Sequence, residues 1–401
     1  MSIFRIPTAG TPYIFSEVVR SVFGYFEGYK PLLTFQNLLR DYFQSQNLLL
    51  VNSGTTAFYI ILEVLKEVRD KESRNEVILP AYTAPSLLLP IEAAGLKPVL
   101  VDIDPDTFNM DIQKTIDIAS EKTLAILPVH MYGIPCETSL LNKTFESTDI
   151  NVIEDAASSL GSKIYNKHNG TISPFGFYSL NRGKNISTLA GGIIVWKDDS
   201  LTERLEKKCS SLPDLSVPAS FLTLLRIIGL SLAVRPLPYT LLYSLISKFK
   251  YTTLHTHFDS FKYTKTQAAM GLKLWRRIEY LTNKRISNGK KFTKLFKNRD
   301  DYKLPTIPET AEVAFNQFPV LIEDLNKRDL LKKELDKRGI ESTLLYEYPM
   351  HHIFPELSNS KNDPFPHSTY LAEHLFLIPP HAQIGDSIIK IVSETVESIE
   401  R

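Results

Sequence analysis

Two cysteines in 401 residues, Cys136 and Cys209, are too few and too far apart for a disulfide framework, and they share no metal-ligand spacing. A reducing compartment fits, and the cytoplasm is the expected location. An excess of charge is also missing: 46 basic and 45 acidic residues leave a formal net charge of +1, so no global field attracts nucleic acid. No nucleic-acid partner is expected. No G-x-G-x-x-G follows any apolar run, which argues against a dinucleotide-dependent dehydrogenase. The start, MSIFRIPTAGTPYIF, lacks a basic stretch followed by an unbroken apolar core, so no signal peptide is expected. Metal-ligand clusters are lacking as well. His351-His352 is the only tight pair among nine histidines, and no metal is expected.

A clean apolar run of about 20 residues, the length a membrane-spanning helix needs, does not occur. The nearest approach is FLTLLRIIGLSLAVRPLPYTLLYSLI (221–246), interrupted by Arg226, Arg235, Pro236 and Pro238. It reads as a buried helical hairpin or a subunit contact. The rival reading is peripheral membrane contact by a helix pair lying on the surface.

What is present is an alternation. Short apolar runs at 47–51, 76–79, 97–103, 123–129 and 151–153 are separated by helical patterns, the signature of βαβ units and a mainly parallel sheet. Helical character is expected over 15–46, from 57 onward, and over 86–94 and 111–120. Two more strands, 175–180 and 191–197, flank a polar turn. Residues 265–296 read as one long lysine-rich helix, interrupted or not. Strands at 314–322 and 341–348, a charged helix over 327–338 and a helix after Gly385 then form an α+β module. The expected division is a large α/β unit, 1–262, carrying an apolar helical insertion at about 210–258, and a small unit, 263–401.

Three groups stand at the edges of these elements. Ser53-Gly54-Thr55-Thr56 sits where a strand hands over to a helix, where free N–H groups and the helix dipole form an anion site. The plainer reading is an N-cap. Asp155 closes the apolar run of NVIEDAASSLG, at the sheet edge where open α/β folds bind ligands; the plainer reading is again a cap. Its neighbour Glu154 should point the other way, into structure. Lys184 follows in SLNRGKNISTLAGG, preceded by Ser179 and Asn181 as candidate contacts to a phosphate or ring. Taken alone it is an ordinary loop lysine. Together the three supply an amine, a carboxylate and a phosphate cradle, the set that pyridoxal phosphate (PLP) requires, with Lys184 as its covalent attachment point and proton carrier.

The ordered motifs SGTTAF, EVILPAYTAPS, AAGLKPVLVDIDPDTFNMD, AILPVHMYGIP, VIEDAASSLG and SLNRGKNISTLAGG resemble those of the DegT-type PLP-dependent nucleotide-sugar aminotransferases. The likeness covers nearly the whole chain apart from about 210–258. It implies the aspartate aminotransferase-like fold of type I, with a seven-stranded large-domain sheet, and a homodimer with both sites at the subunit interface. It also implies an L-glutamate donor and a keto sugar of a nucleotide-sugar as acceptor, in polysaccharide, lipopolysaccharide or other glycan synthesis. By position, Lys184 is the Schiff-base lysine, Asp155 pairs with the pyridine nitrogen, and Gly54, Thr55 and Ser179 match phosphate ligands. Ser260 and Lys262 stand where an asparagine and an arginine reach the neighbouring subunit's phosphate. His351 matches a histidine near the sugar-nucleotide site.

Several positions depart from the pattern. Ala84 replaces an aromatic that stacks on the cofactor ring, and Tyr82 is the candidate substitute. Ser158 replaces a residue contacting the ring hydroxyl, Asn181 a histidine, and Leu189-Ala190 a Gly-Glu pair. A lysine at 184 argues against the sugar dehydratases of the same family, which carry histidine there. The departures also leave room for a PLP-binding regulatory or scaffolding protein without turnover.

Overall fold

The computed structural model describes residues 4–8, 13–24, 26–69, 73–233, 235–246, 254, 256–358, 360 and 362–400. Helices α1 (Phe15–Gly24) and α2 (Lys30–Phe43) come first. The single helical region expected over 15–46 is thus divided by a turn in which Gly28 has φ +63°, and Pro31 opens the second helix. Strand β1 (Leu48–Val51) leads into α3 (Gly54–Arg69), β2 (Glu76–Pro80), α4 (Leu88–Ala93) and β3 (Lys97–Val101). Then come α5 (Ile112–Ile118), β4 (Thr123–Ile126), α6 (Ser139–Phe145) and β5 (Asn151–Asp155). A small hairpin, β6 (Lys163–Ile164) and β7 (Lys167–His168), precedes β8 (Phe175–Ser179) and β9 (Gly192–Trp196).

Seven of these strands form one sheet in the order β1-β9-β8-β5-β4-β2-β3. Only β9 runs against its neighbours, so β1, β2, β4, β5 and β8 deliver their C-terminal ends to one edge. Strands buried on both faces read as continuous apolar runs, which is why they were visible in the sequence. The helix α3 packs Phe58, Ile61, Leu62 and Leu65, spaced three and four apart, into the core beneath the sheet.

Helix α7 (Thr202–Ser211) is followed by the apolar pair α8 (Val217–Ala233) and α9 (Pro236–Ile246). Residues 247–253 of the expected insertion lie outside the described residues. The long lysine-rich stretch is two helices, α10 (Lys265–Trp275) and α11 (Ile278–Phe296). A second sheet has the antiparallel order β10 (Tyr302–Lys303), β12 (Phe318–Ile322), β13 (Leu375–Ile378). The intervening β11 (Ala311–Glu312) pairs with β6 instead. Helices α12 (Leu325–Lys337), α13 (Met350–Ile353), α14 (Pro366–His374) and α15 (Asp386–Glu400) complete the fold.

The strand expected at 341–348 is not formed. Only Thr343 makes a bridge, to Leu377, and Leu345 has φ +55°. The place beside β12 belongs to β13, whose LFLI run is fully buried. The stretch 341–348 crosses toward the large sheet, and Met350 N–H donates to Ala81 O just beyond β2.

Candidate active site

The shared sheet edge gathers residues far apart in sequence. After β1, Ser53 Oγ accepts from Thr56 N–H at 3.0 Å and caps α3, a contact worth about 1 kcal/mol. Ser53 also bridges Gly191, and a Cβ at Gly192 would lie 2.1 Å from Ser53 O. The second glycine of LAGG is therefore required for the backbones to meet. A Cβ at Gly54 would meet Ser179 Cβ at 3.2 Å, so the N-terminus of α3 and the end of β8 face each other closely. Two sequence candidates, Gly54 and Ser179, meet there, and Thr55 follows Gly54 in the first turn of α3. Ser179 is buried and its hydroxyl accepts from Asn181 N–H at 3.3 Å.

Asp155 ends β5 and is buried. Its carboxylate accepts from Ala157 N–H at 2.8 Å. Burial raises its pKa above the ordinary carboxylate value, and the Ala157 N–H and the Lys184 charge only partly oppose this. Lys184 is half-buried and donates from Nζ to Ser158 Oγ at 3.0 Å. Desolvation lowers its pKa, against the pull of Asp155. The amine, the carboxylate and Ser158 thus lie in one neighbourhood.

The lysine turn is fixed from outside. Asn185 Nδ2 donates to Leu160 O at 2.8 Å and to Ala314 O at 2.7 Å, and Gln267 of α10 donates to Thr188 O and Ala190 O. Both were unremarkable in the sequence, because their partners lie up to 129 residues away. Leu189, where the family pattern has glycine, keeps φ +76°, a backbone conformation that disfavours any side chain.

Other candidates are placed differently. Asn181 is exposed and its side chain accepts from the adjacent Arg182 N–H, turned to its own backbone. Tyr82 is fully buried, with its ring edge-on to Tyr346 at 6.0 Å. It is therefore a wall behind Tyr346 and presents no open face for stacking. Tyr346, half-buried, lies close enough to Asp155 for that charge to add to the burial that raises its pKa. The sequence did not single it out. The hydroxyls of Tyr82 and Tyr132 influence each other's ionisation, yet neither makes a hydrogen bond of proper geometry among the described residues, nor does buried Thr83 Oγ1.

Lys262 Nζ lies 3.4 Å from Asp214, and Ser260 Oγ is 3.3 Å from Thr56 Oγ1 of the same chain's α3. His351 is buried on α13, 3.0 Å from Asp363. With His352 these form a group whose ligand atoms lie within 4.8 Å of one another. Asp363, unnoticed in the sequence, also accepts from Thr369 Oγ1 and Phe365 N–H, while His351 Nδ1 is buried without a hydrogen-bond partner among the described residues.

The residues suit PLP on three counts. The α3 N-terminus offers free N–H donors to a phosphate. Asp155 is a buried carboxylate short of a cationic partner, which a pyridinium N–H supplies. Lys184 is an amine whose lowered pKa favours the nucleophilic form.

Comparison with known proteins agrees. Residues 17–397 match the model of the DegT/DnrJ/EryC1/StrS aminotransferase family. GDP-perosamine synthase of Caulobacter vibrioides is 27% identical over 371 residues, covering 92% of this chain and 90% of the relative. GDP-4-keto-6-deoxy-D-mannose 3-dehydratase of Yersinia pseudotuberculosis is 34% identical over 164 residues, 40% of this chain and 42% of the relative. Among solved structures, Helicobacter pylori PseC, an aminotransferase involved in the biosynthesis of pseudoaminic acid, superposes with a TM-score of 0.78. Its identity is 20%, over 98% of this chain and 99% of that one. With its motifs, its sheet and its family match agreeing along nearly the whole length, the chain belongs to the DegT/DnrJ/EryC1/StrS aminotransferase family.

Proposed function

We propose that this protein is a PLP-dependent aminotransferase that moves the amino group of L-glutamate onto the carbonyl carbon of a nucleotide-linked keto sugar. The observation that carries this reading is the desolvated Lys184 amine beside the buried Asp155 carboxylate, at the sheet edge where α3 begins.

Bound there, PLP supplies an electron sink for making and breaking carbon–nitrogen bonds. The chain's own residues do the rest. Lys184 holds the cofactor covalently and, when released, carries a proton to and from the reacting carbon, with Ser158 orienting its amine. Asp155 keeps the ring nitrogen protonated. The first turn of α3 with Ser179 receives the phosphate, and Tyr346, backed by Tyr82, shields the reacting face from water. L-Glutamate leaves as 2-oxoglutarate, and the keto sugar becomes an amino sugar for glycan synthesis. Under the same reading residues 1–262 form the cofactor unit and 263–401 the unit facing the sugar through His351. Two protomers form a cytoplasmic homodimer.

The test is release of 2-oxoglutarate from L-glutamate across a panel of nucleotide-linked keto sugars. The reading requires release that depends on at least one of them. No release above the protein-free blank with any of them would favour the binding-only reading, which the small residues Ala84 and Ser158 motivate. A dehydrated sugar without amination would favour the dehydratase reading, which Lys184 opposes.

A further inference from the structure

The family motifs leave one built element without a task, the helical pair α8–α9. The reading of this pair as buried is only half met. Ile227 and Ser231 on α8 and Tyr239 on α9 face inward. Tyr239 Oη donates to Glu341 at 2.6 Å, Thr240 Oγ1 accepts from Arg5 N–H at 2.7 Å, and the Arg5 guanidinium lies over the Tyr243 ring. These contacts fix the pair to the body. The opposite side is apolar and open. Phe221, Leu225, Gly229 and Leu232 recur at intervals of four, four and three, one stripe of a helix, and all are exposed. Leu237 and Leu241 repeat the pattern on α9, with Leu241 73% exposed.

The charged residues of the segment itself have one sign. Arg226 and Arg235 are exposed on the pair, Lys248 and Lys250 follow in sequence, and no acidic residue occurs between Asp214 and Asp259. In a near-neutral chain, this stretch of sequence carries cations and no acidic residue. We infer that α8–α9 docks the protein onto an anionic lipid surface, lying in the plane of the headgroups. Leucine and phenylalanine side chains enter the acyl boundary while the arginines meet lipid phosphates. Neither helix of the pair qualifies as a membrane span. The 17 residues of α8 measure about 26 Å at about 1.5 Å per residue, short of the ~30 Å hydrocarbon core, and no helix among the described residues is long and apolar enough to cross a membrane. A second copy of the chain on the same stripe would bring like charges together, whereas anionic lipid complements them. This inference does not depend on the proposed reaction.

The experiment is flotation of the full-length protein with vesicles of phosphatidylcholine alone and of phosphatidylcholine with phosphatidylserine. Light scattering on the same samples gives the oligomeric mass. The protein should float with the anionic vesicles, less with the neutral ones, and less again as salt rises. Arg226→Gln should weaken anionic binding on the order of five-fold. Leu225→Glu with Leu241→Glu should abolish flotation while leaving the oligomeric mass and the glutamate-driven spectral change as in the parent. Failure of the parent protein to float with anionic vesicles overturns the inference. So does a double variant that still floats, or one whose oligomer falls apart, which would assign the stripe to a second copy.

Discussion

Glu154 and Asp155 are adjacent carboxylates on one strand, both buried, and they face opposite sides of the sheet with opposite outcomes. Glu154 is saturated. It accepts from Gly170 N–H at 2.6 Å, from Ser173 N–H, and from His130 Nε2 at 2.9 Å. Cys136 N–H donates to His130 Nδ1, which leaves Nε2 to donate to the carboxylate. Burial pushes the Glu154 pKa up, but these bonds outweigh it and the net shift is downward. Asp155 has one backbone donor and the charge of Lys184, and burial still wins. The difference separates structure from chemistry: a completed carboxylate holds the fold, and an incomplete one awaits a ligand.

The largest way to sharpen the contrast acts on the incomplete side. Lys184→Ala should lower turnover on the order of 10³-fold or more while leaving the urea midpoint nearly unchanged. Retained turnover without an added amine would remove Lys184 from the mechanism. On the complete side, Glu154→Gln sets an amide N–H against at least one of the three donors. It should cost about 3 kcal/mol in urea unfolding, with activity falling only as folded protein is lost.

The two carboxylates also tilt stability against pH in opposite senses. Glu154, lowered when folded, contributes stability that is present above the ordinary glutamate value of 4.5 and is lost as pH falls through its folded value. Asp155, raised when folded, contributes below the ordinary aspartate value of 3.8 and loses that contribution as pH rises through its folded value. Asp155→Asn should therefore stabilise the cofactor-free protein at pH 7 by about 1 kcal/mol. The same variant should shrink the gain that PLP gives, about 2.7 kcal/mol at a hundred times its dissociation constant. Thermal unfolding with and without PLP reads both. A variant that loses apo stability would mean Asp155 is a structural cap after all. The smallest effect belongs to Leu189→Gly: relief of the left-handed backbone should offset the lost packing, leaving stability within about 1 kcal/mol of the parent.

How much of this was legible in the sequence follows from the distances involved. The strands β1 to β5, the α3 cradle, Asp155 and Lys184 were visible because each rests on neighbours in sequence, an apolar run ending in one polar residue. The opposed directions of Glu154 and Asp155 follow from the two-residue repeat of a strand. Tyr346, Asn185 and Asp363 were not visible, since each acquires its place from a partner elsewhere in the fold. Tyr82 was only a candidate for stacking, and its burial edge-on to Tyr346 comes from a contact remote in sequence. ESTLLYEY reads as strand-like through its Leu-Leu-Tyr run, yet the edge of β12 was filled by LFLI, a better apolar run. Apolar content alone could not tell which side of α8 faces the body.

The central claim is that Lys184 and Asp155 form a working PLP site. The most direct measurement is the visible absorption spectrum of the purified protein with PLP, before and after L-glutamate, followed by borohydride reduction and peptide mass mapping. The account predicts a cofactor band that L-glutamate converts to the amine form of the cofactor. It also predicts that reduction before glutamate fixes the cofactor mass on the peptide containing Lys184. A band that glutamate leaves untouched, or a label on any other lysine, would contradict it.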